Sequence, residues 1–399
     1  MKLKRLPEDF RVTELTDMAA TSAGGFSLYR LTKRGIGTPE AIDAILRRWK
    51  VPRHRVSYGG LKDRHAVTVQ HLTIQRGPPH GLEQTNIALE YLGRCERAFT
   101  PADIRANAFE IVLRSMDADS LSAAVAALED VRRDGVPNYF DDQRFGSIGP
   151  SGEFIGAAWI KGNYERCLWL ALAEEHPFDR SDEKGEKRIL RDHWGNFVEC
   201  KRQLARSHRR SIVTFLADRP GDFRGAWARV NVDLRRLWLS AFQSELWNRL
   251  LAAQLRRDCA PAQLFDVQLK TQSVPFFRDL DEQTRAALHA VQLPLPSARL
   301  KLDEGPTRDL AEQVVRDAGL EWRELRVKYP RDSFFSKGWR NAVIVPQDMT
   351  AEGSHDDLHA GREKLAIKFV LPRGAYATIV VKRLTEGTKG QRDKGTEGT

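Results

Sequence analysis

The sequence predicts an α+β fold in which one domain is interrupted by a second, and three observations predict it. Strand-like segments lie at both ends of the 399 residues, a stretch rich in charge and helical periodicity lies between them, and the character of the chain changes from about Ser147. A surface loop accommodates such an insertion, so one split domain is the economical reading, with two consecutive domains as the alternative. At this length the chain can bury two sizeable cores.

Each element has its own signal. Asp9 to Leu15 and Phe26 to Leu31 read as short strands. Thr38-Pro39-Glu40 then opens a helix, with Thr38 as N-cap, proline in the first turn and an acid at the positive end of the helix dipole. Its apolar face, Ile42, Ile45, Leu46 and Trp49, recurs at helical spacing. Arg55 to Tyr58 and Val67 to Ile74 read as strands around the turn Gly59-Gly60, and Phe109, Ile111 and Leu113 alternate as one face of another. Leu121 to Arg133 reads as a helix that Gly135 and Pro137 end.

Beyond Ser147 helical signals dominate, and Asp179 to Arg210 is crowded with charge. Leu234 to Arg256 is the strongest helix, with Leu239, Phe242, Leu246, Leu250 and Ala253 on one face. Strand-like runs return at Lys368 to Leu371 and Ala377 to Lys382. Residues 386–399 carry no apolar side chain and read as a disordered tail. The predicted organisation is 1–147 as the first part of one domain, 148–344 as the insertion and 345–385 as the second part.

Hydrophobic residues make up 41% and charged residues 30%, a globular balance, and the formal net charge is +10. Such an excess points to a polyanionic partner, nucleic acid being the commonest. No run approaches the roughly 20 apolar residues that span a bilayer, and the start, Met1 to Pro7, has no apolar segment of a secretory signal. Cys95, Cys167, Cys200 and Cys259 lie tens of residues apart, which suits neither a zinc ribbon nor a disulfide framework. They read as reduced cysteines of a cytoplasmic protein.

The segment Gly59-Gly60-Leu61-Lys62-Asp63-Arg64-His65-Ala66-Val67-Thr68 places an acid between two cations just after a strand. An aspartate in a cleft beside Lys or Arg is a ready anionic nucleophile that needs no separate base, whereas the same residues on an open surface are a charged turn. Gly-Leu-Lys-Asp-Arg-His-Ala-Val-Thr closely resembles the G-x-K-D-[KR]-x-A-x-T signature of the TruD family of tRNA pseudouridine synthases. The resemblance continues along nearly the whole chain in the family's order. It runs through Pro7-Glu8-Asp9-Phe10-x-Val12-x-Glu14, Asn107-Ala108-Phe109, and Gly135-Val136-Pro137-Asn138-Tyr139-Phe140 with Gln143-Arg144-Phe145-Gly146. It ends in Leu239-Ser240-Ala241-Phe242-Gln243-Ser244-Glu245-Leu246-Trp247-Asn248 and Leu371-Pro372-x-Gly374-Ala375-Tyr376-Ala377-Thr378.

The resemblance implies a pseudouridine synthase core, a mixed sheet flanked by helices, carrying an inserted α/β TRUD domain, with RNA between the two. It implies isomerisation of uridine to pseudouridine in tRNA, typically at position 13, with no metal or cofactor. The family's essential Asp falls on Asp63, and its other site positions fall on Lys4, Phe10, Asn107, Phe109 and Tyr376. Lys4 is expected to pair with Asp63 or to contact a phosphate. Phe10 is expected to pack beneath the site, Phe109 and Tyr376 to hold the base, and Asn107 to meet the uracil edge with a donor and an acceptor. Two positions depart from many relatives: Gly37 stands where they have Asn, and Tyr376 where some have Phe. The protein is expected to act as a monomer.

Other signals carry less. Gln143-Arg144-Phe145-Gly146 reads as a structural hinge into the insertion. Lys201 to Arg210 reads as a solvated face, with contact to tRNA phosphates as the alternative. His355-Asp356-Asp357-Leu358-His359 has two histidines at metal spacing but reads as an exposed loop. Gly387 to Gly390 matches a phosphate loop in composition only. A protein that merely binds tRNA, and a ribosyl hydrolase using the same Asp, are the rival functions.

Overall fold

Period-two alternation of apolar residues builds the first half of the chain into strands, seen in a computed structural model that describes residues 1–177 and 179–386. Two compact units result: Met1–Val136 with residues 344–386, and Pro137–Val343. The boundary drawn from sequence at 147 lies downstream of this first division, and the one at 344 lies beside the second. Residues beyond 386, where the sequence suggests a disordered tail, lie outside the described part; Glu386 itself closes a helix.

In the first unit, the strands β1 (Lys2–Leu3), β2 (Phe10–Thr16) and β3 (Phe26–Arg34) precede helix α1 (Thr38–Trp49). Then come β4 (Val56–Tyr58), β5 (Val67–Gln75), β6 (Leu82–Gln84), β7 (Ile87–Cys95), β8 (Ile104–Met116) and helix α2 (Ala118–Asp134). After the insertion the chain returns as strands Gln347–His355 and Glu363–Pro372 and the helix Ala377–Glu386. These strands make one ten-stranded mixed sheet in the order Gln347–His355, Glu363–Pro372, β8, β2, β5, β3, β7, β6, with β1 on β8 and β4 on β5. β2 and β5 run parallel, and the other pairings are antiparallel.

α1 closes one end of this sheet. Its Ala41, Ile42, Ile45 and Leu46 are buried against Tyr29, Leu31, Leu72 and Ile74, each of the leucines and isoleucines contributing on the order of 1.5–3 kcal/mol. The N-cap is Gly37, not Thr38 as the sequence suggests, and Gly37 makes no side-chain cap. Thr38 is buried with its hydroxyl turned away to other partners, described below. Glycine in place of a capping Asn costs only a few tenths of a kcal/mol, so the departure at Gly37 is tolerable.

Two further expectations change, and two strands join the sheet where the sequence carried no expectation. Ala377 to Lys382, read as a strand from its β-branched residues, is helical, because Ile379, Val380, Val381 and Leu384 bury together on a helix packed against α2. β6 and β7 had no sequence assignment, although Ile87 and Leu89 alternate inward on β7. The stretch 355–359 is not wholly an exposed loop. Asp356 is buried, and Arg114 on β8 binds Asp9, Asp356 and Asp357 at 2.8, 2.9 and 2.9 Å. His359 Nδ1 lies 3.0 Å from Asp356 Oδ2, while His355 is exposed. The pattern holds a charge cluster together.

The second unit is built around the 27-residue helix Val232–Asp258. Leu239, Phe242, Leu246 and Leu250 of the face its periodicity predicts are buried, Ala253 is only partly so, and Trp238, Ala241 and Trp247 are buried as well, which makes it a central helix. Its polar residues splice the loops around it: the Asn248 amide bonds both the N–H and C=O of Phe140 at 2.9 and 2.8 Å, and Gln243 donates to the carbonyls of Pro296 and Ser336. Short helices, among them Tyr164–Leu172, Phe197–Gln203 and His208–Asp218, complete this core, and two-stranded ribbons such as Leu264–Gln268 with Ser273–Phe277 flank it. Within Lys201 to Arg210, Arg209 pairs with Glu186, Arg202 with Glu199, and Arg210 Nε donates to the Lys201 carbonyl. The cluster is therefore largely tied within its own unit. All four cysteines are free and buried.

Candidate active site

Register decides what meets at the centre of the sheet. In an antiparallel pair, directly opposed residues face the same side, so Phe10 with Ile111, Val12 with Phe109 and Glu14 with Asn107 share one face of β2 and β8. Phe369 opposes Phe109 and Leu371 opposes Asn107 from the next strand. On the other side of β2, Val12 pairs with Thr68, which in turn pairs with Lys33 on β3. One face thus collects Phe10, Glu14, Lys33, Asn107, Phe109 and Phe369.

The loop Gly59 to Ala66, between β4 and β5, lies over this face and carries Asp63. Its backbone is fixed from below. The Thr38 hydroxyl accepts the Lys62 N–H at 3.0 Å and donates to Gln70 Oε1 at 2.9 Å, and the Gln70 amide reaches the Gly60 carbonyl at 3.3 Å. Lys33 Nζ donates to the carbonyls of Asp63 at 2.6 Å, Ile36 at 2.8 Å and Lys62 at 3.3 Å. At the start of the loop a Cβ on Gly59 would sit 2.4 Å from Ile104 Cδ1, so the close approach favours glycine.

The loop's side chains have partners of their own. Lys4 Nζ lies 2.6 Å from Asp63 Oδ2 and 3.9 Å from the centroid of the Phe10 ring, placing the ammonium between carboxylate and aromatic face. Lys4 reaches this position from a left-handed backbone, φ 56°, a conformation a non-glycine residue adopts at a cost. The Asp63 and Lys4 side chains remain 30% and 20% exposed, so the pair is reachable from solvent. Lys62 turns the opposite way, to Asn107 Oδ1 at 2.5 Å and Glu14 Oε2 at 3.2 Å. The Phe109 ring stacks on Phe369 at 5.6 Å and meets Phe10 edge-on at 6.3 Å.

Two groups here are electrostatically displaced. Burial pushes the Lys33 ammonium down to about 8, with Asp63 and Glu40 pulling it back only in part. Burial works to raise the Glu14 carboxyl, but hydrogen bonds from His71 and the nearby charge of Lys62 outweigh it and hold Glu14 below the usual carboxylate range.

The structure therefore links four of the residues singled out in the sequence to Asp63. Lys4 contacts it directly, Phe10 through Lys4, Phe109 through Phe10, and Asn107 through Lys62. Phe10 is buried, and so is Phe109, whose ring is engaged with two other aromatics. Tyr376 is half-buried in the turn after Glu363–Pro372 and is joined to the rest through that strand's register on β8. Sequence reasoning passed over Lys33, the Thr38 hydroxyl, Gln70 and the role of Glu14. A signal for two of them existed. Tyr29, Leu31, Lys33 and Phe10, Val12, Glu14 each follow the inward alternation of a strand, and a charge at the third inward position calls for a dedicated partner.

The architecture of an α+β core with a large insertion has counterparts among proteins of known class. A family model described as "tRNA pseudouridine synthase D (TruD)" matches residues 1–384. A Methanococcus maripaludis protein named "Probable tRNA pseudouridine synthase D 1" is 29% identical over 399 residues, covering 96% of this chain and 99% of its own. The tRNA pseudouridine synthase D of Leptospira interrogans is 27% identical, covering 96% and 95%. A crystal structure from Methanosarcina mazei bearing the TruD name superposes with a TM-score of 0.72 at 23% identity, covering 96% and 93%, and shares the fold. The class is that of a pseudouridine synthase, an isomerase acting on tRNA. The chain belongs to the TruD family.

Proposed function

We propose that this chain converts one uridine of tRNA, at position 13 as the family resemblance implies, to 5-ribosyluracil through Asp63 and without a cofactor. The observation that carries the assignment is the Asp63 carboxylate itself. It is solvent-accessible, is met by Lys4 at 2.6 Å, and sits on a loop whose carbonyls are tethered by a buried lysine. Such prior fixing of a reacting group lowers the entropic part of a barrier.

The reaction breaks the N1–C1′ bond and forms a C5–C1′ bond; C5 loses a proton and N1 gains one, so nothing is oxidised or consumed. Asp63 acts either by attack on C1′ or by removing a ribose proton to give a glycal. Both routes use a carboxylate anion at the sugar, and Lys4 supplies the neighbouring positive charge. The target nucleotide must leave its stack, at a cost of a few kcal/mol. Stacking of the freed base on an aromatic side chain returns about 1–3 kcal/mol, the role assigned to Phe109 and Tyr376. Phe10 supports Lys4 and Phe109 from beneath, and Asn107 meets the uracil edge. The formal net charge of +10 favours capture of the polyanion.

The test is pseudouridine mapping on tRNA treated with wild-type protein and with Asp63→Asn. The expected outcome is one new pseudouridine from the wild type and none from the variant. Equal product from both would remove Asp63 from the mechanism. Tight tRNA binding with no product from either would favour a binding protein, and released free uracil a hydrolase.

A further inference from the structure

Glu14, Lys62 and Asn107 form a line of contacts whose hydrogen-bond directions determine how the last of them can meet a base. A lysine ammonium is a donor only, so the Asn107 atom 2.5 Å from Lys62 Nζ is the carbonyl Oδ1. The amide NH2 group is then directed away from Lys62. Lys62 is itself held, because Glu14 Oε2 lies 3.2 Å from the same ammonium.

Glu14 is fixed in turn by the sheet. The parallel ladder between β2 and β5 ends at Thr13 opposite Val69, and beyond that point Glu14 Oε1 accepts the His71 backbone N–H at 2.8 Å. The same oxygen lies 3.3 Å from His71 Nδ1, and the Glu14 side chain is fully buried. A carboxylate built into a gap in a sheet is rigid, and it holds an ammonium that dictates the orientation of an amide.

We propose that Glu14 and Lys62 are positioning residues that lock the Asn107 amide with its NH2 group toward the substrate, making Asn107 a pure donor that selects a carbonyl of uracil over the amino group of cytosine. This rests on the assignment of Asn107 to the uracil edge made above. With Lys62 removed, the amide is free to turn over and offer its oxygen instead, and a cytosine amino group becomes an acceptable partner. A site built to donate a hydrogen bond rejects a base that cannot accept it, since the buried donor is left unpaired.

Two measurements test this, each accompanied by thermal unfolding of every variant. The first is a double-mutant cycle on kcat/KM for tRNA with Lys62→Met, Asn107→Ala and the double variant. If Lys62 acts through Asn107, each single change lowers kcat/KM by about 10–100-fold and the double variant is no worse than Asn107→Ala. Losses that multiply would overturn the proposal, because Lys62 would then act on Asp63 or on the RNA independently. The second is inhibition by the same tRNA carrying cytidine at the target position. The wild type should bind it at least 10-fold more weakly than the uridine tRNA, and Lys62→Met and Glu14→Gln should lose that preference while Lys62→Arg retains it. An unchanged preference in Lys62→Met overturns the proposal, and this variant decides the matter if Glu14→Gln fails to fold. Wild-type protein that makes no pseudouridine would instead defeat the functional reading beneath it, a result distinct from an active enzyme with multiplicative losses.

Discussion

Lys33 shows how a single buried side chain can fix the backbone of a loop. It occupies an inward position of a strand, is fully buried, and spends its donors on three backbone carbonyls, two of them in the Asp63 loop. Replacing it with methionine keeps the volume but removes the donor that these three carbonyls share. Lys33→Met should therefore lower kcat for pseudouridine formation by about 10-fold or more while changing tRNA affinity little, as initial-rate kinetics and filter binding would show. The same lysine makes stability depend on pH. Below about pH 8 it is charged in both folded and unfolded chains, and above its ordinary value of 10.5 it is neutral in both. Between these limits the unfolded chain binds the extra proton, so this group makes the fold more stable as pH rises from about 8. Denaturant titrations across that window should show the wild type gaining stability relative to Lys33→Met, and parallel curves would contradict the assignment.

Among the elements, β8 has the largest share of the architecture. It pairs with β1, β2 and the strand Glu363–Pro372, and it supplies Asn107, Phe109 and Arg114. Arg114 joins the turn before β2, through Asp9, to the hairpin of the C-terminal strands, through Asp356. It thereby ties the two halves of a unit separated by some two hundred residues of sequence. Arg114→Met would leave Asp9 and Asp356 buried without their cation and should cost about 3–5 kcal/mol in equilibrium unfolding. Asp357→Asn, which alters the exposed arm of the cluster, should leave stability almost unchanged. Burial opposes the charge on Asp356, yet backbone N–H groups of Leu358 and Ser115 and the Arg114 guanidinium hold its carboxyl well below the usual range. Its contribution is thus complete above the ordinary carboxylate pKa and is lost in acid as the group protonates.

At the scale of the whole molecule, the insertion is closed at its ends. The Asn138 N–H donates to the Ala342 carbonyl at 2.8 Å, and the Asn138 amide donates to Asn341 at 2.8 Å, so the entering and leaving chain are bonded to each other. Its core includes Trp159, Trp227, Trp238, Phe215 and Leu246 from its own residues. Residues 137–343 expressed alone should give near-ultraviolet circular dichroism from buried tryptophans and one cooperative thermal transition. A fragment with helical signal but no near-ultraviolet bands would show that this core depends on the rest of the chain. The fragment should be inactive, since Asp63 belongs to the other unit.

Apolar periodicity, with cap and stop signals, was enough to locate α1, α2, six strands of the sheet and the central helix Val232–Asp258, because hydrophobic burial is written at spacings of two or 3.6 residues. The family motifs placed Asp63 within a short contiguous run. Where local propensity and packing disagree, the sequence misleads: Ile379 to Val381 favour a strand by residue type and form a helix by burial, and Thr38 resembles a cap but serves the loop that carries Asp63. The contacts that make a site of these residues join positions far apart in the chain, Lys4 to Asp63 across 59 residues, Lys33 to the same loop across 30 and Lys62 to Asn107 across 45. They exist because strand register places side chains on a common face. Register is a property of the folded sheet, and a shift of one residue would send Lys33 and Asn107, the strand residues among them, to the opposite side.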